Sequence, residues 1–281
     1  DMSQRYQGKT VACLTQHGKV PLISPILEPA LGCQVVQATG YDTDLLGTFT
    51  GEVKRLDSQI DTARRKARIG MDLSGLSIGL ASEGAFGADP FGGLMPWNIE
   101  VLIWLDDEHQ LEVVGIAQGP ARHLQRVVRS LEELDTFCLE AGFPEHHLVL
   151  RPQSPTNSWT RKGLQRWDEL HRAFEECQQE SNNQWVQAEH DLRAFCNPTR
   201  QRMIQQAAMD LLKKIQSSCP QCSRPGFYIT GHTSGLPCRA CGHPTRLARS
   251  FLWRCASCKY SREVDHVDLY ANPGQCDICN P

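Results

Sequence analysis

Apolar positions in the first two hundred residues keep two rhythms. Short apolar runs bounded by polar turns predict strands at Thr10–Leu14, Cys33–Ala38, Ser77–Ala81, Ile99–Leu105, Leu111–Ala117 and His147–Leu150. The runs IEVLIWL and LEVVGIA flank the polar DDEHQ, which predicts an antiparallel hairpin. Between the strands the period lengthens to that of a helix. Ser58 is the expected cap of SQIDTARRKARIGMDL, with Ile60, Ala63, Ala67 and Met71 on one face. Ser130 and Glu133 form a capping box for SLEELDTFCLEAG, and Asn197 before Pro198 opens NPTRQRMIQQAAMDLLKKIQSS. Strands alternating with helices predict an α/β domain, with a boundary near Ser217.

Past that boundary the rhythm gives way to cysteine. Eight of the thirteen cysteines form four CxxC pairs: Cys219/Cys222, Cys238/Cys241, Cys255/Cys258 and Cys276/Cys279. Two such pairs complete a tetrahedral thiolate site, so four imply two structural zinc ions in a double zinc-ribbon module over residues 217–281. CRACGHPTRLARSFLWRCASC reads as one ribbon. That favours Cys238, Cys241, Cys255 and Cys258 as one site nested inside Cys219, Cys222, Cys276 and Cys279; sequential pairing is the alternative. Cys13, Cys33, Cys138, Cys177 and Cys196 lie mostly in apolar stretches and read as core thiols.

A chain of 281 residues with 40% hydrophobic composition has room for a main domain and a small appendage. No apolar run approaches the roughly 20 residues of a membrane span. DMSQRYQGKT lacks the apolar core of a secretory signal, so a cytoplasmic location is expected. A net charge of −3 argues against a generally basic nucleic-acid binder. The cysteine module has seven basic and four acidic side chains, which eight zinc-bound thiolates bring near neutrality. Arg246, Arg249 and Arg254 with Phe251 and Trp253 remain a candidate local patch for phosphates and bases, against the plainer reading of a solvated hairpin face.

Chemistry-bearing residues gather in two stretches of the main domain. YDTDLLGTFTGE, DTARRKAR and LASEGAFG supply Glu52, Asp61, Lys66 and Glu83, the last at the end of an apolar strand beside a glycine. The alternative for RRKAR is a solvated helix face. AEHDLRAFCNPTR supplies Arg193, Asn197 and Arg200 at a helix N-terminus, a natural place for an anion. Thr15, His17, Gly18 and Lys19 follow the first strand and open a helix, a second phosphate-compatible arrangement.

Nearly the whole chain resembles an uncharacterised bacterial family, a domain of unknown function, on the phrases HGK, DTDxxGTFTGE, TARxKAR, LASEGxFG, RAxxNPTR, GLPCxxCG and CDxCNP. More remotely, residues 10–117 with 189–216 are similar to the fold of inosine-triphosphate pyrophosphatases. Thr15-x-x-x-Lys19 is similar to that fold's phosphate-binding start. Asp61-Thr62-Ala63-x-x-Lys66-Ala67 resembles its E-N-A-x-x-K-A helix, and Ser82-Glu83-Gly84 stands at its acidic D-D-S-G turn. Thr62 replaces the usual Asn and Ser82 one acidic residue, while an insert at about 120–185 and the cysteine module are foreign to that fold.

The resemblance implies a mixed-sheet α/β main domain over residues 8–216. It also implies a magnesium-dependent nucleotide pyrophosphatase or phosphatase acting on a nucleoside triphosphate or related phosphorylated small molecule. Glu83, Asp61 and Glu52 would hold the metal, and Thr15, His17, Lys19, Lys66, Arg193, Asn197 and Arg200 the substrate. The alternative is a non-catalytic nucleotide- or RNA-binding protein that uses the zinc module as a second contact. A homodimer built on that module is a further expectation.

Overall fold

A computed structural model describes residues 5–16, 18–43, 56–154, 156–181 and 185–281. Five of the six expected strands form a five-stranded mixed sheet in the order β2-β1-β3-β4-β5: β1 Thr10–Cys13, β2 Gln34–Gln37, β3 Ile78–Ala88, β4 Pro96–Asp106 and β5 Leu111–Pro120; the sixth, expected at His147–Leu150, falls in a separate sheet. β1 runs parallel to both β2 and β3, while β3, β4 and β5 form an antiparallel meander. The β4–β5 hairpin matches its prediction. β3 is longer than expected and pairs with β4 from Ile78↔Asp106 to Ala88↔Pro96.

Alternation along the strands sends side chains to two helical layers. On one face Ile78, Leu80, Leu102 and Trp104 pack with α1 (Val20–Leu31) and α5 (Pro198–Gln216). On the other, Ala81, Val101 and Ile103 pack with Ala63, Ala67 and Met71 of α2 (Leu56–Ser74). α1 and α2 therefore leave the sheet on opposite faces, and the chain crosses from β2 over β1 to β3. Ser58 lies inside α2, where its carbonyl accepts from Thr62, and is not the cap expected for it. Asn197 does cap α5, its side chain accepting from Arg200 N–H with Pro198 following.

The segment between β5 and α5 folds around its own core. It comprises β6 Gln125–Val128, α3 Leu131–Ala141, β7 Leu148–Pro152, β8 Arg161–Leu164, α4 Trp167–Glu180 and β9 Val186–His190. Its antiparallel sheet has the order β6-β9-β7-β8. Ser130 caps α3 as expected, and Glu133 returns a bond to the N–H of Arg129. A third sheet, β10 Phe227–Ser234, β11 Ala248–Cys255 and β12 Ser261–Asp265, follows α5 as an antiparallel meander. Among the described residues no helix is long and apolar enough to cross a membrane.

Candidate functional site

β1 ends at Cys13, opposite Leu80, but β3 continues. The edge of β3 at Ser82–Gly84 consequently faces a loop, and this loop leads into α1. With α1 and α2 on opposite faces, the gap beyond β1 is the switch point of the sheet, where open α/β folds leave a crevice.

The starts of α1 and α5 and the first described turn of α2 meet at this crevice. Lys19, just before α1, directs Nζ to the carbonyl of Ser82 at 3.4 Å. Gln59, near the start of the described α2, donates from Nε2 to the carbonyls of Glu83 and Ile99, both at 2.9 Å. Arg200, in the first turn of α5, pairs through Nε with Glu100 at 2.7 Å and donates from Nη1 to Leu192 O at 2.8 Å. The N-termini of α1 and α5 add partial positive charge.

Side chains reinforce that bias. Glu83 projects to the α2 face and pairs with Lys66 at 2.5 Å, both nearly buried. Glu100 projects to the opposite face, fully buried, where one oxygen takes Arg200 and the other has no hydrogen-bond partner among the described residues. Ser82 Oγ is likewise buried without a partner. Gly84 is required here, because a Cβ would run into both the Arg200 guanidinium and the Glu100 carboxylate. Burial, with repulsion from Arg200, lowers the Lys19 ammonium to about 8 despite attraction from Glu100 and Glu83. Lys19, Lys66 and Arg200 thus stand against Glu83 and Glu100, a formal excess of one positive charge.

The expected residues divide around this centre. Lys19, Lys66, Glu83 and Arg200 gather there. Asp61 does not: it is largely exposed and pairs with Arg64, which reaches on to Glu112 of β5. Five residues of helix separate Asp61 from Lys66, placing them roughly 140° apart around the axis, so one faces outward when the other faces the sheet. Arg193 is held by buried Asp191 at 2.6 Å and stacks over Phe195. Asn197 is committed to capping and to the carbonyl of Arg122. Thr15 donates to Gln16 O and accepts at its own carbonyl from Gln37. Glu52 and His17 lie outside the described residues. Glu100 was not anticipated, although a carboxylate in phase with Leu102 and Trp104, on the core side of an apolar strand, is a readable signal.

The C-terminal cysteines form two tetrads, Cys219, Cys222, Cys255 and Cys258, and Cys238, Cys241, Cys276 and Cys279. This corrects both expected pairings. The segment between Cys241 and Cys255 holds a single strand, not a hairpin. β10 carries the chain from the first tetrad toward the second, β11 returns it and β12 carries it forward again, so the pairs alternate between the ends of the sheet. Sulfur–sulfur distances of 3.7 Å across the first tetrad, and 3.7 and 3.8 Å across the second, match the roughly 3.8 Å tetrahedral edge set by a 2.3 Å Zn–S bond. Backbone N–H groups of Gln221, Ala240 and Ser257 point at Cys219, Cys238 and Cys255 sulfurs at 3.3–3.4 Å, as a thiolate requires. Such bonds, led by that from Cys241, bring the Cys238 thiol down to about 7 while burial opposes them. The donor set therefore fits a soft divalent ion at both tetrads. Cys13, Cys138, Cys177 and Cys196, by contrast, are pushed up to about 12 by burial, as core thiols should be.

Comparison with curated proteins finds no match. A family model described as a domain of unknown function matches residues 66–281, from Lys66 of the crevice through both tetrads. This stretch holds Glu83, Glu100, Arg200 and all eight tetrad cysteines, and on it the chain belongs to the family of the domain of unknown function DUF6671.

Proposed function

We propose that the crevice beyond β1 binds the phosphates of a nucleoside triphosphate, or a related phosphorylated small molecule, and hydrolyses it with magnesium. The observation that carries this reading is the meeting of three cations, Lys19, Lys66 and Arg200, and the starts of α1 and α5 at one nearly buried stretch of β3. Lys19, Lys66 and Arg200 neutralise phosphate oxygens. As a phosphate takes up the Lys66 ammonium, Glu83 is released to serve as a hard oxygen ligand. Glu100 keeps the Arg200 fork oriented, and its unpartnered oxygen with Ser82 Oγ suits an oxygen-seeking cation. Magnesium, when bound, would supply a polarised water and offset charge in phosphoryl transfer. The sequence resemblance to inosine-triphosphate pyrophosphatases motivates this reading, with Asp61, which is largely exposed and paired with Arg64, left out of the metal set. Both tetrads hold zinc in this reading, and their four-thiolate closure makes them structural.

The test is a screen of common and damaged nucleotides with magnesium, using the full zinc-loaded chain and reading phosphate and pyrophosphate release separately. Glu83→Gln is expected to lower turnover at least 100-fold; because it leaves the nearly buried Lys66 ammonium without its carboxylate, turnover is read well below the variant's lowered melting temperature. Equal turnover by this variant would refute the catalytic assignment. A second reading, nucleotide binding without chemistry, is favoured by one observation: Glu83 is already satisfied by Lys66, and Asp61 points elsewhere. Tight magnesium-independent binding with no product released would establish it.

A further inference from the structure

Neighbours paired across an antiparallel sheet share a face, so the register of β10–β12 sorts its side chains into two sets. Ile229↔Trp253↔Arg262 and His232↔Phe251↔Val264 lie on one face, with Arg249 in phase beyond them. Tyr228↔Arg254↔Ser261, Leu252↔Glu263 and Ser250↔Asp265 lie on the other. Both carboxylates of the three strands fall in this second set, where Glu263 is taken up by Ser250 and Thr233. The second face also turns toward the main domain, with Tyr228 under the Lys214 ammonium. The first face looks outward. Trp253 and Phe251 are half-buried there, while Ile229, Val264, Arg249 and Arg262 are exposed. Arg249 makes no side-chain hydrogen bond or ion pair among the described residues, and Arg262 only stacks over Phe227.

The geometry points to this outward face as a binding surface for single-stranded nucleic acid, with bases stacked on Trp253 and Phe251 and phosphates held by Arg249 and Arg262. Two rings one pair apart along a strand, flanked by arginines and cleared of carboxylates, form a platform that accepts any base through its π-face. A protein partner would gain the apolar patch but would leave the two arginines without anions. Formal neutrality of the loaded module does not oppose this, because the charge is divided between faces. The inference is independent of the crevice and of its proposed chemistry.

The test uses the full zinc-loaded chain and fluorescently labelled 12-nucleotide oligo-U and oligo-dT, followed by anisotropy from 50 to 300 mM salt. Phe251→Ala is expected to weaken binding about 5- to 150-fold, the loss typical of one stacked base. Arg249→Ala with Arg262→Ala should weaken it further and reduce the salt slope by about 0.7 per lost phosphate contact. Arg254→Ala, on the opposite face, should change affinity less than twofold, and Glu83→Gln not at all. Zinc content of two per chain shows that each variant keeps its fold. No binding at 50 mM salt, binding unchanged by Phe251→Ala, or losses equal for Arg254→Ala and Arg249→Ala would each overturn the inference.

Discussion

Arg200→Met tests whether the crevice is assembled by ion pairing. The guanidinium is the partner of one Glu100 oxygen; the other already lacks one, and the carboxylate is fully buried. Removing the arginine head leaves a buried charge uncompensated, which costs about 3–5 kcal/mol. With about 2–4 °C lost per kcal/mol in a chain of this size, the melting temperature should fall by roughly 6–20 °C. Glu100→Gln in the same chain removes that charge, so the double variant should melt above Arg200→Met alone. The assay is thermal unfolding of all four members of the cycle at pH 7 with zinc saturated. An Arg200→Met chain melting within about 2 °C of the parent would refute the reasoning, because Glu100 would then not be a desolvated carboxylate held by Arg200.

The other tests address the remaining charges and the metals. Lys19 has a folded value of about 8 against 10.5 unfolded, so between those pH values the unfolded chain holds more protons and stability rises with pH. Urea unfolding of the parent and Lys19→Met from pH 7 to 10.5 should show the parent gaining on the variant above about pH 8, and a constant difference would contradict the burial of that charge. For the tetrads, Cys276→Ser with Cys279→Ser should empty the second site and weaken the first at least tenfold, measured by metal titration; one ion kept at parental affinity would show that the sites are independent.

Much of the main sheet was legible because its strands are apolar runs of ordinary length. The far half of β3 was not: EGAFGADPFGG has too many glycines to alternate, and its pairing to Ala88 is set by β4. β6, β8 and β9 are only four or five residues long and largely polar, so they are defined by their partners in the sheet. Lys19 and Arg200 were visible as cations at helix starts, Glu83 as the acid that closes an apolar run, and Lys66 as a member of the charge run in α2. The place of Asp61 was not, since the charge run DTARRKAR hides which side chains fall in phase with the apolar stripe. Glu100 was masked by the apolar residues around it. The tetrads were evident as four pairs, but their partnership depends on how many strands lie between them, which spacing alone does not disclose.

The meander also sets an order of events during synthesis. As the ribosome extends the chain, the pairs emerge alternately for the first, second, first and second sites. An ion arriving after Cys241 has emerged meets four thiolates, yet two of them belong elsewhere in the finished fold. For an ion bound at that stage, maturation requires a ligand swap: Cys255 and Cys258 displace Cys238 and Cys241, which then wait for their own partners. A nascent chain stalled after Cys241 would carry one ion in a shell that the mature protein never contains.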